Sequence, residues 1–185
     1  MPPATTVDRG VSSVPEIAAA RLLLRGWRDE DLDGWAAVCA DAEVMRGHGR
    51  TGGLTREEAW REMALLAGHW ALKGFGHWVL EERATGELVG RAGLLEPEGW
   101  PGLEVGWTVA RSRWGRGYAG EAGRAAIEWA AAELGARHVI SLIADDNRRS
   151  QRVAEKLGMA PEGRAVVRGF ELRVYGLDVP RATTA

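Results

Sequence analysis

The chain has 185 residues, with 24 Lys or Arg against 26 Asp or Glu and a formal net charge of −2 at pH 7. This balance argues against general nucleic-acid binding, which depends on an excess of basic side chains. The single cysteine, Cys39, cannot form an internal disulfide and lacks the Cys or His spacing of a zinc site, so no metal is expected.

Apolar runs in the sequence are too short to span a membrane, and the N-terminus lacks the charged and then apolar plan of a signal peptide. We therefore expect a protein of the reducing cytoplasm that works without a membrane partner. The sequence leaves the question of a homodimer open.

The chain is expected to contain one domain between two tails. Residues 1–19 are rich in Pro, Thr, Ser and Ala without periodicity, which predicts a flexible N-terminal tail. Residues 20–179 are long enough to bury a core as a single domain, and residues 180–185 would form a C-terminal tail.

Hydrophobic periodicity predicts strands and helices that alternate along much of this domain. Strand patterns occupy residues 21–27, 75–82, 87–95, 103–110, 138–143 and 166–178. Helical patterns occupy residues 32–39, 55–70, 118–134 and 147–157. The sequence Thr55-Arg-Glu-Glu58 is a capping box for the second helix, and Gly158 is a stop signal for the last. This alternation predicts an α/β fold.

The most informative segment, from Trp114 to Ala122, lies between an apolar strand and an alanine-rich helix. Its glycines allow backbone N–H groups to turn toward a ligand, and the first turn of the following helix leaves its amides unpaired. Because these amides carry a partial positive charge, the segment predicts an anion site suited to a diphosphate.

Two other interpretations of this segment stay open. Gly115-x-Gly117-x-x-Gly120 is also a dinucleotide-binding fingerprint, and Asp145-Asp146 follows a later strand, where a ribose-binding acid is expected. A polar spacer over residues 111–114, and only about forty residues after Asp146, argue against that fold. The segment could also be a glycine-rich turn that binds nothing.

Three motifs follow one another along the chain: Glu104-Val-Gly-Trp-Thr-Val, Trp114-Gly-Arg-Gly-Tyr-Ala-Gly-Glu-Ala and Asn147-Arg-Arg-Ser-Gln-Arg-Val-Ala-Glu-Lys-Leu-Gly-Met. Together they resemble the GNAT superfamily of acyl-CoA-dependent N-acyltransferases, and most of all its branch of Rim-type ribosomal-protein N-terminal acetyltransferases. The resemblance covers residues 20–179. It implies a GNAT fold, in which a mixed, mostly antiparallel sheet is flanked by helices and splayed at the CoA-binding strands.

The resemblance also implies acetyl-CoA as cosubstrate. The family's pyrophosphate loop maps onto Trp114, Gly117 and Ala119, where Trp114 departs from the usual Gln or Arg. The pantetheine arm would pair with the central strand, and Asn147 would contact it besides capping its own helix. The expected binding residues are Trp107, Thr108, Val109, Trp114, Gly115, Arg116, Gly117, Tyr118, Ala119, Gly120, Asn147 and Ser150.

Amide formation requires a neutral amine, so a base or a water relay must take a proton from an alkyl ammonium group. Glu104 is the candidate base, because similar enzymes carry a catalytic glutamate there and an apolar setting near Trp107 could raise its pKa. The alternative is a solvated acid at the strand edge. His48 and His77 show no partner in the sequence, and ordinary packing is expected for both.

Many members of the superfamily carry a tyrosine seven residues after the helix-starting asparagine, where it protonates the departing CoA thiolate. Ala154 occupies that position here, and Ser150 lies one turn earlier on the same helical face. Ser150 is therefore the candidate that orients CoA or relays a proton, with a capping or surface role as the alternative.

These features predict an N-acetyltransferase that moves an acetyl group from acetyl-CoA to a primary amine by direct transfer in a ternary complex. The acceptor would be a protein N-terminus or a small molecule. A non-catalytic acyl-CoA sensor or a partner-binding module is the alternative from another class.

Overall fold

The computed structural model describes residues 14–180, which form one eight-stranded sheet flanked by helices. The strands in chain order are β1 (Ile17–Ala18), β2 (Leu22–Arg25), β3 (His77–Glu82), β4 (Leu88–Leu95), β5 (Glu104–Val109), β6 (His138–Ile143), β7 (Ala160–Val167) and β8 (Phe170–Asp178). Their order in the sheet is β1-β2-β3-β4-β5-β6-β8-β7, and only β5 and β6 are parallel neighbours among the described strands. This mixed, mostly antiparallel sheet is the one predicted.

Five α-helices lie in the described part of the chain: α1 (Leu32–Ala40), α2 (Ala42–Arg46), α3 (Arg56–Lys73), α4 (Tyr118–Glu133) and α5 (Arg148–Lys156). On one face of the sheet, Arg91 of β4 donates to Glu62 of α3. On the other face, Gly123 of α4 lies against the ring of Trp107 from β5. The sheet therefore lies between α4 and the helices α1 and α3, and only at the end of α3 does Trp70 reach Trp129 of α4, with ring centres 5.8 Å apart.

The main hydrophobic core fills the space between the sheet and α4. Ala122, Ala126 and Ala130, spaced four residues apart on α4, are fully buried there against strand residues such as Val105 and Leu80. Small side chains on that face let the helix backbone approach the sheet closely. Burial of each large apolar side chain in this core contributes about 1.5–3 kcal/mol to stability.

The ends of α3 follow from its capping residues. The Thr55 side chain accepts from Glu58 N–H at 3.2 Å, while Glu58 accepts from Thr55 N–H at 2.8 Å, which confirms the predicted capping box. At the other end, Gly74 adopts a left-handed conformation with φ of 75°. The remaining predicted strands and helices agree within three residues at each end, apart from the C-terminal segment, and α2 was not predicted.

The C-terminal segment was predicted wrongly as a single strand over residues 166–178. It is a hairpin in which β7 pairs with β8 through a two-residue turn at Arg168 and Gly169, with φ of 51° and 82°. Strand β7 contains Pro161 and Gly163 and lies at the sheet edge. At an edge, these residues do not interrupt the hydrogen bonds between central strands. Its exposed polar residues give no alternating pattern, so periodicity misses it.

The predicted N-terminal tail lies mostly outside the described residues, as does the C-terminal tail after residue 180. The last part of the predicted N-terminal tail, residues 14–19, nevertheless contacts the domain. Ile17 and Ala18 pair with Leu24 and Leu23 of β2, and Trp78 Nε1 donates to the carbonyl of Pro15 at 2.8 Å. The sheet thus begins before residue 20.

Candidate active site

Strands β5 and β6 separate soon after they meet. They share a single register pair, Glu104 with Ile140, and the Ile140 N–H donates to Leu103 O at 2.9 Å. Beyond this pair, β6 continues along β8 while β5 continues along β4, so a wedge-shaped cleft opens between them. The predicted splay is therefore present, and its closed end lies at Glu104.

The β5 edge of this cleft carries unused backbone groups. Ala110 N–H is bonded to Val89 O of β4 at 2.8 Å, and alternate residues of a strand direct their backbone groups to opposite edges. The groups of Trp107 and Val109 therefore face the cleft. The indole Nε1 of Trp114 donates a hydrogen bond to the Val109 carbonyl at 2.8 Å. The Val109 N–H points into the cleft.

Glu104 holds its carboxylate at the closed end of the cleft. Trp100 Nε1 donates to Glu104 Oε2 at 2.6 Å, and the backbone N–H of Leu142 on β6 also donates to the carboxylate. Loss of water around the group raises its pKa above the usual range, although these two donors, Arg91 and Arg168 oppose the shift. A half-buried carboxylate with a raised pKa is a candidate for proton transfer.

The glycine-rich segment forms a backbone cradle at the start of α4. Gly115 and Gly117 have φ of 76° and 83°, a region that other residues adopt at a cost. Gly117 is the N-cap and has no side chain to offer, and the first intrahelical bond runs from Glu121 N–H to Gly117 O at 3.0 Å. The amides of Tyr118, Ala119 and Gly120 are thus left for an anion.

Space is available where that anion would lie. A Cβ built on Gly115 or Gly120 meets no heavy atom within 4 Å. The residues present therefore fit a diphosphate group, which needs a close backbone approach and unpaired amides. The side chain of Arg116 is exposed beside the cradle.

Side-chain contacts hold the cradle in place from behind. Arg21 donates to Glu121 Oε2 at 2.8 Å and to the carbonyl of Arg116 at 2.7 Å, and its guanidinium lies 4.7 Å from the centre of the Tyr118 ring. The buried Tyr118 hydroxyl donates to Glu82 of β3. Tyr118 is therefore anchored in the domain, and only its backbone is directed to the cradle.

The start of α5 lies next to the cradle, at the open end of the cleft. Asn147 Oδ1 accepts from Ser150 N–H at 3.1 Å, so Asn147 caps the helix, and its Nδ2 donates to Gly47 O at 3.4 Å. The Arg149 guanidinium stacks 3.7 Å from the centre of the Trp114 ring, which connects α5 to the cradle. Asn147 and the cradle thus lie on adjoining elements.

Ser150 is half-buried in the first turn of α5, and its backbone N–H, not its hydroxyl, makes the cap. Ala154, one turn later, is fully buried in the core. Glu104 lies at the closed end of the cleft and Ser150 follows the far end of β6, so the two candidate side chains occupy opposite ends of the site.

Two predicted pantetheine-binding residues use their side chains elsewhere. Trp107 packs against α4, and Thr108 is buried on the α1 and α3 side, where its hydroxyl contacts His48 Nε2 at 2.9 Å. Trp107 can therefore face the cleft only through its backbone, whereas the backbone groups of Thr108 are directed to β4 and not to the cleft.

Sequence reasoning missed the residues that surround Glu104. Trp100 was not singled out from the sequence, and His77 was expected to pack in an ordinary way. Trp100 donates to the carboxylate, and a Cβ built on Gly106 would lie within 4 Å of both His77 and Glu104. Their positions depend on contacts between separate strands and loops. The only local signal was Gly106, a glycine in the middle of a strand, which often marks a close approach.

Within residues 14–180, no helix is long and apolar enough to cross a membrane. The same residues contain no group of three His, Cys, Asp or Glu side chains arranged to hold a metal ion.

A family model for the acetyltransferase (GNAT) domain matches residues 21–160 of this chain, which include the cleft, the cradle and α5. The chain belongs to the GNAT acetyltransferase family. Two uncharacterized proteins of Bacillus subtilis are similar in sequence. The N-acetyltransferase YoaA is 27% identical over 90% of this chain and 98% of its own length, and YkkB is 40% identical over 47% of this chain and 53% of its own.

Solved GNAT structures have the same architecture. An acetyltransferase from Agrobacterium tumefaciens aligns with a TM-score of 0.80 and 28% identity, over 90% of this chain and 96% of its own. The ribosomal-protein-S5-alanine acetyltransferase of Vibrio fischeri aligns with a TM-score of 0.66 over 89% and 96% of the two chains. At 15% identity, this second likeness shows a common fold. The resemblance and the fold class predicted from the three motifs are confirmed.

Proposed function

We propose that the protein is an N-acetyltransferase that transfers an acetyl group from acetyl-CoA to a primary amine. The observation that carries this proposal is the arrangement of the cleft, which has a carboxylate of raised pKa at its closed end and an anion cradle at its open end. A thioester on a long arm with a diphosphate at its far end matches both features.

The backbone of the cleft would bind and orient the arm. Acetyl-CoA would supply the activated acetyl group, and the N–H groups of Tyr118, Ala119 and Gly120 would hold its diphosphate. The Val109 N–H would donate to the thioester carbonyl and stabilise the charge that develops on its oxygen, an effect worth up to about 3–4 kcal/mol in other enzymes.

Glu104 would take the proton of the acceptor ammonium group, which leaves the nitrogen lone pair free to attack. Its raised pKa makes it a stronger base than an ordinary carboxylate. Ser150 would position CoA from the start of α5, since its hydroxyl is not used by the cap. Protonation of the departing thiolate would then involve water.

Direct transfer in a ternary complex is favoured by the state of the lone thiol. Cys39 is fully buried, and loss of water around it raises its pKa to about 12, so it is protonated and inaccessible as a nucleophile. The acceptor would approach on the side of the segment 46–53 and the β7–β8 hairpin, where Phe170 lies against Gly49.

The decisive test offers acetyl-CoA with peptides of free N-terminus, amino acids, polyamines and aminoglycosides, and follows thiol release and product mass. Turnover that falls roughly 10²–10⁴-fold in Glu104→Gln, with acetyl-CoA affinity nearly unchanged, is the expected result. Initial-velocity lines should intersect, as a ternary complex requires. Acetyl-CoA binding without transfer to any amine would favour the sensor, and absence of binding would reject both functions.

A further inference from the structure

The turn between β7 and β8 has an arginine at a position that favours glycine or asparagine. Arg168 and Gly169 have φ of 51° and 82°, and Arg168 is the only non-glycine residue with a left-handed φ among residues 14–180. A larger side chain at such a position strains the backbone. Strain that a fold retains points to a use for the side chain that causes it.

The Arg168 side chain lies over Trp100, which belongs to the loop between β4 and β5. The guanidinium carbon is 5.2 Å from the centre of the Trp100 ring. The same indole donates from Nε1 to Glu104 Oε2 at 2.6 Å. One ring therefore has a cation over its face and the candidate base at its edge, so the two charges lie close together.

The Arg168 guanidinium differs from those of the other arginines in the β7–β8 hairpin. Arg164 and Arg173 both form ion pairs with Asp145. Arg168 is exposed and has no hydrogen-bond or ion-pair partner within the described part of the chain. A guanidinium that stacks on an aromatic face keeps the N–H donors in its own plane for another partner.

Glu104 and Arg168 lie on the side from which the acceptor would approach. Glu104 is four residues from Thr108 on β5, so both side chains point to the face that carries α1 and α3. Phe170, two residues after Arg168, lies against Gly49 of the segment 46–53 on that side. The diphosphate cradle is at the other end of the cleft, so Arg168 is placed to contact the acceptor.

Two positive charges act on the Glu104 carboxylate. Arg91 and Arg168 both oppose the rise of its pKa. Arg91 is buried and donates to Glu62 at 2.9 Å, so of these two cations only Arg168 is accessible to a ligand. An acceptor with only an ammonium group would be attracted by Glu104 and repelled by Arg168. An acceptor that also carries an anionic group would be attracted by both.

We propose that Arg168 binds a carboxylate of the acceptor, so that the preferred acceptor is an amine with a carboxylate close to it, as in a free amino acid. This inference rests on the proposed function and names the acceptor class of the same site. A guanidinium binds a carboxylate through two parallel N–H···O bonds. The acceptor amine would lie at Glu104 and its carboxylate at Arg168, with Trp100 beneath both.

The test compares acceptors that differ in one charge. Free amino acids, their C-terminal amides, and peptides with Asp or Ala as second residue are each offered with acetyl-CoA. The kcat/KM of a free amino acid should exceed that of its amide roughly 10- to 100-fold, as expected for a charge-assisted pair. A preference for the Asp peptide over the Ala peptide would show the same recognition with a peptide as the source of the carboxylate. Equal values within both pairs would overturn the proposal.

Substitutions at Arg168 test whether this side chain is responsible. Arg168→Gln removes the charge and keeps a non-glycine side chain in the strained turn. It should lower the acid-to-amide ratio of kcat/KM roughly 10- to 100-fold, mainly through the KM of the acid. Because Glu104 serves both acceptors, a change in its pKa cancels in this ratio. A wild-type ratio in Arg168→Gln would overturn the role of Arg168.

Three more variants complete the test. Arg168→Lys keeps the charge without the planar fork and should retain part of the preference. Arg168→Glu should reverse it in favour of the amide. Arg124→Gln removes an exposed arginine from α4, across the sheet, and should keep the wild-type ratio. A merely structural role of Arg168 would not reverse the preference, and melting temperatures check that each variant is folded.

The outcomes separate this inference from the proposed function. If the wild type transfers no acetyl group to any amine, the proposed function fails. If the wild type acetylates amines without a preference for those that carry a carboxylate, only this inference fails.

Discussion

Gly120 offers a clean test of the cradle, because a side chain there changes the anion site and little else. The residue lies in the first turn of α4, its φ is outside the left-handed region, and a Cβ on it meets nothing within 4 Å. Gly117, by contrast, has φ of 83°, so any substitution there adds backbone strain. A Gly120→Glu variant should therefore fold normally and fail to bind CoA.

The expected loss of CoA affinity follows from the charge of the new carboxylate and its distance from the phosphate. A carboxylate about 4 Å from one phosphate charge, at an effective dielectric of about 20, costs about 4 kcal/mol, which corresponds to roughly a 10³-fold loss of affinity. The same substitution should raise helix stability by about 0.5–1 kcal/mol, since glutamate is a better helix former than glycine and favours the first turn.

Isothermal titration with CoA measures the effect, and two variants serve as controls. Gly120→Gln has the same size without the charge, so it separates repulsion from steric blocking. Gly68→Glu makes the same change in the helix α3, at a glycine with equally open surroundings, and should bind CoA like the wild type. Wild-type affinity in Gly120→Glu, or tighter binding of NAD than of CoA to the wild type, would refute the assignment of the cradle.

Two further substitutions test neighbouring parts of the molecule. Ser150→Ala keeps the helix cap, because the cap uses the Ser150 backbone N–H. If the hydroxyl positions CoA, the variant should slow turnover about 10- to 100-fold. Unchanged kcat and KM in steady-state assays would exclude that role. Arg168→Asn replaces the only described non-glycine residue with a left-handed φ by one suited to this turn, and should raise the free energy of unfolding by about 0.5–1 kcal/mol. Urea denaturation decides this, and a decrease would show that the Arg168 contact with Trp100 outweighs the strain.

The sequence was most informative where structure depends on neighbours along the chain. The capping box at Thr55 and the glycines at 115 and 117 act through local backbone geometry, and each is found where the pattern predicted it. The surroundings of Glu104 could not be predicted in this way. Trp100 comes from a loop and His77 from β3, so their approach to Glu104 depends on the register of separate strands.

The burial that prepares Glu104 for catalysis should cost stability at neutral pH. Burial raises its folded-state pKa above the ordinary value of 4.5, so the native state holds this proton more tightly than the unfolded chain. The stability that this provides is fully present below about pH 4.5 and is lost as the pH rises through the folded-state pKa. Gln cannot titrate, so the stability of Glu104→Gln relative to the wild type should increase over that range.

Urea unfolding of both proteins at several pH values between pH 4 and pH 8 measures this difference. Gln changes the hydrogen bonds from Trp100 and Leu142, which adds a constant offset between the two curves. On top of it, the difference should grow in favour of Gln as Glu104 ionises. A constant offset would mean that the Glu104 pKa is the same in both states. An offset that shrinks would mean that the pKa is lowered, as in an ion-paired surface acid, and Glu104 would then be a poor base at neutral pH.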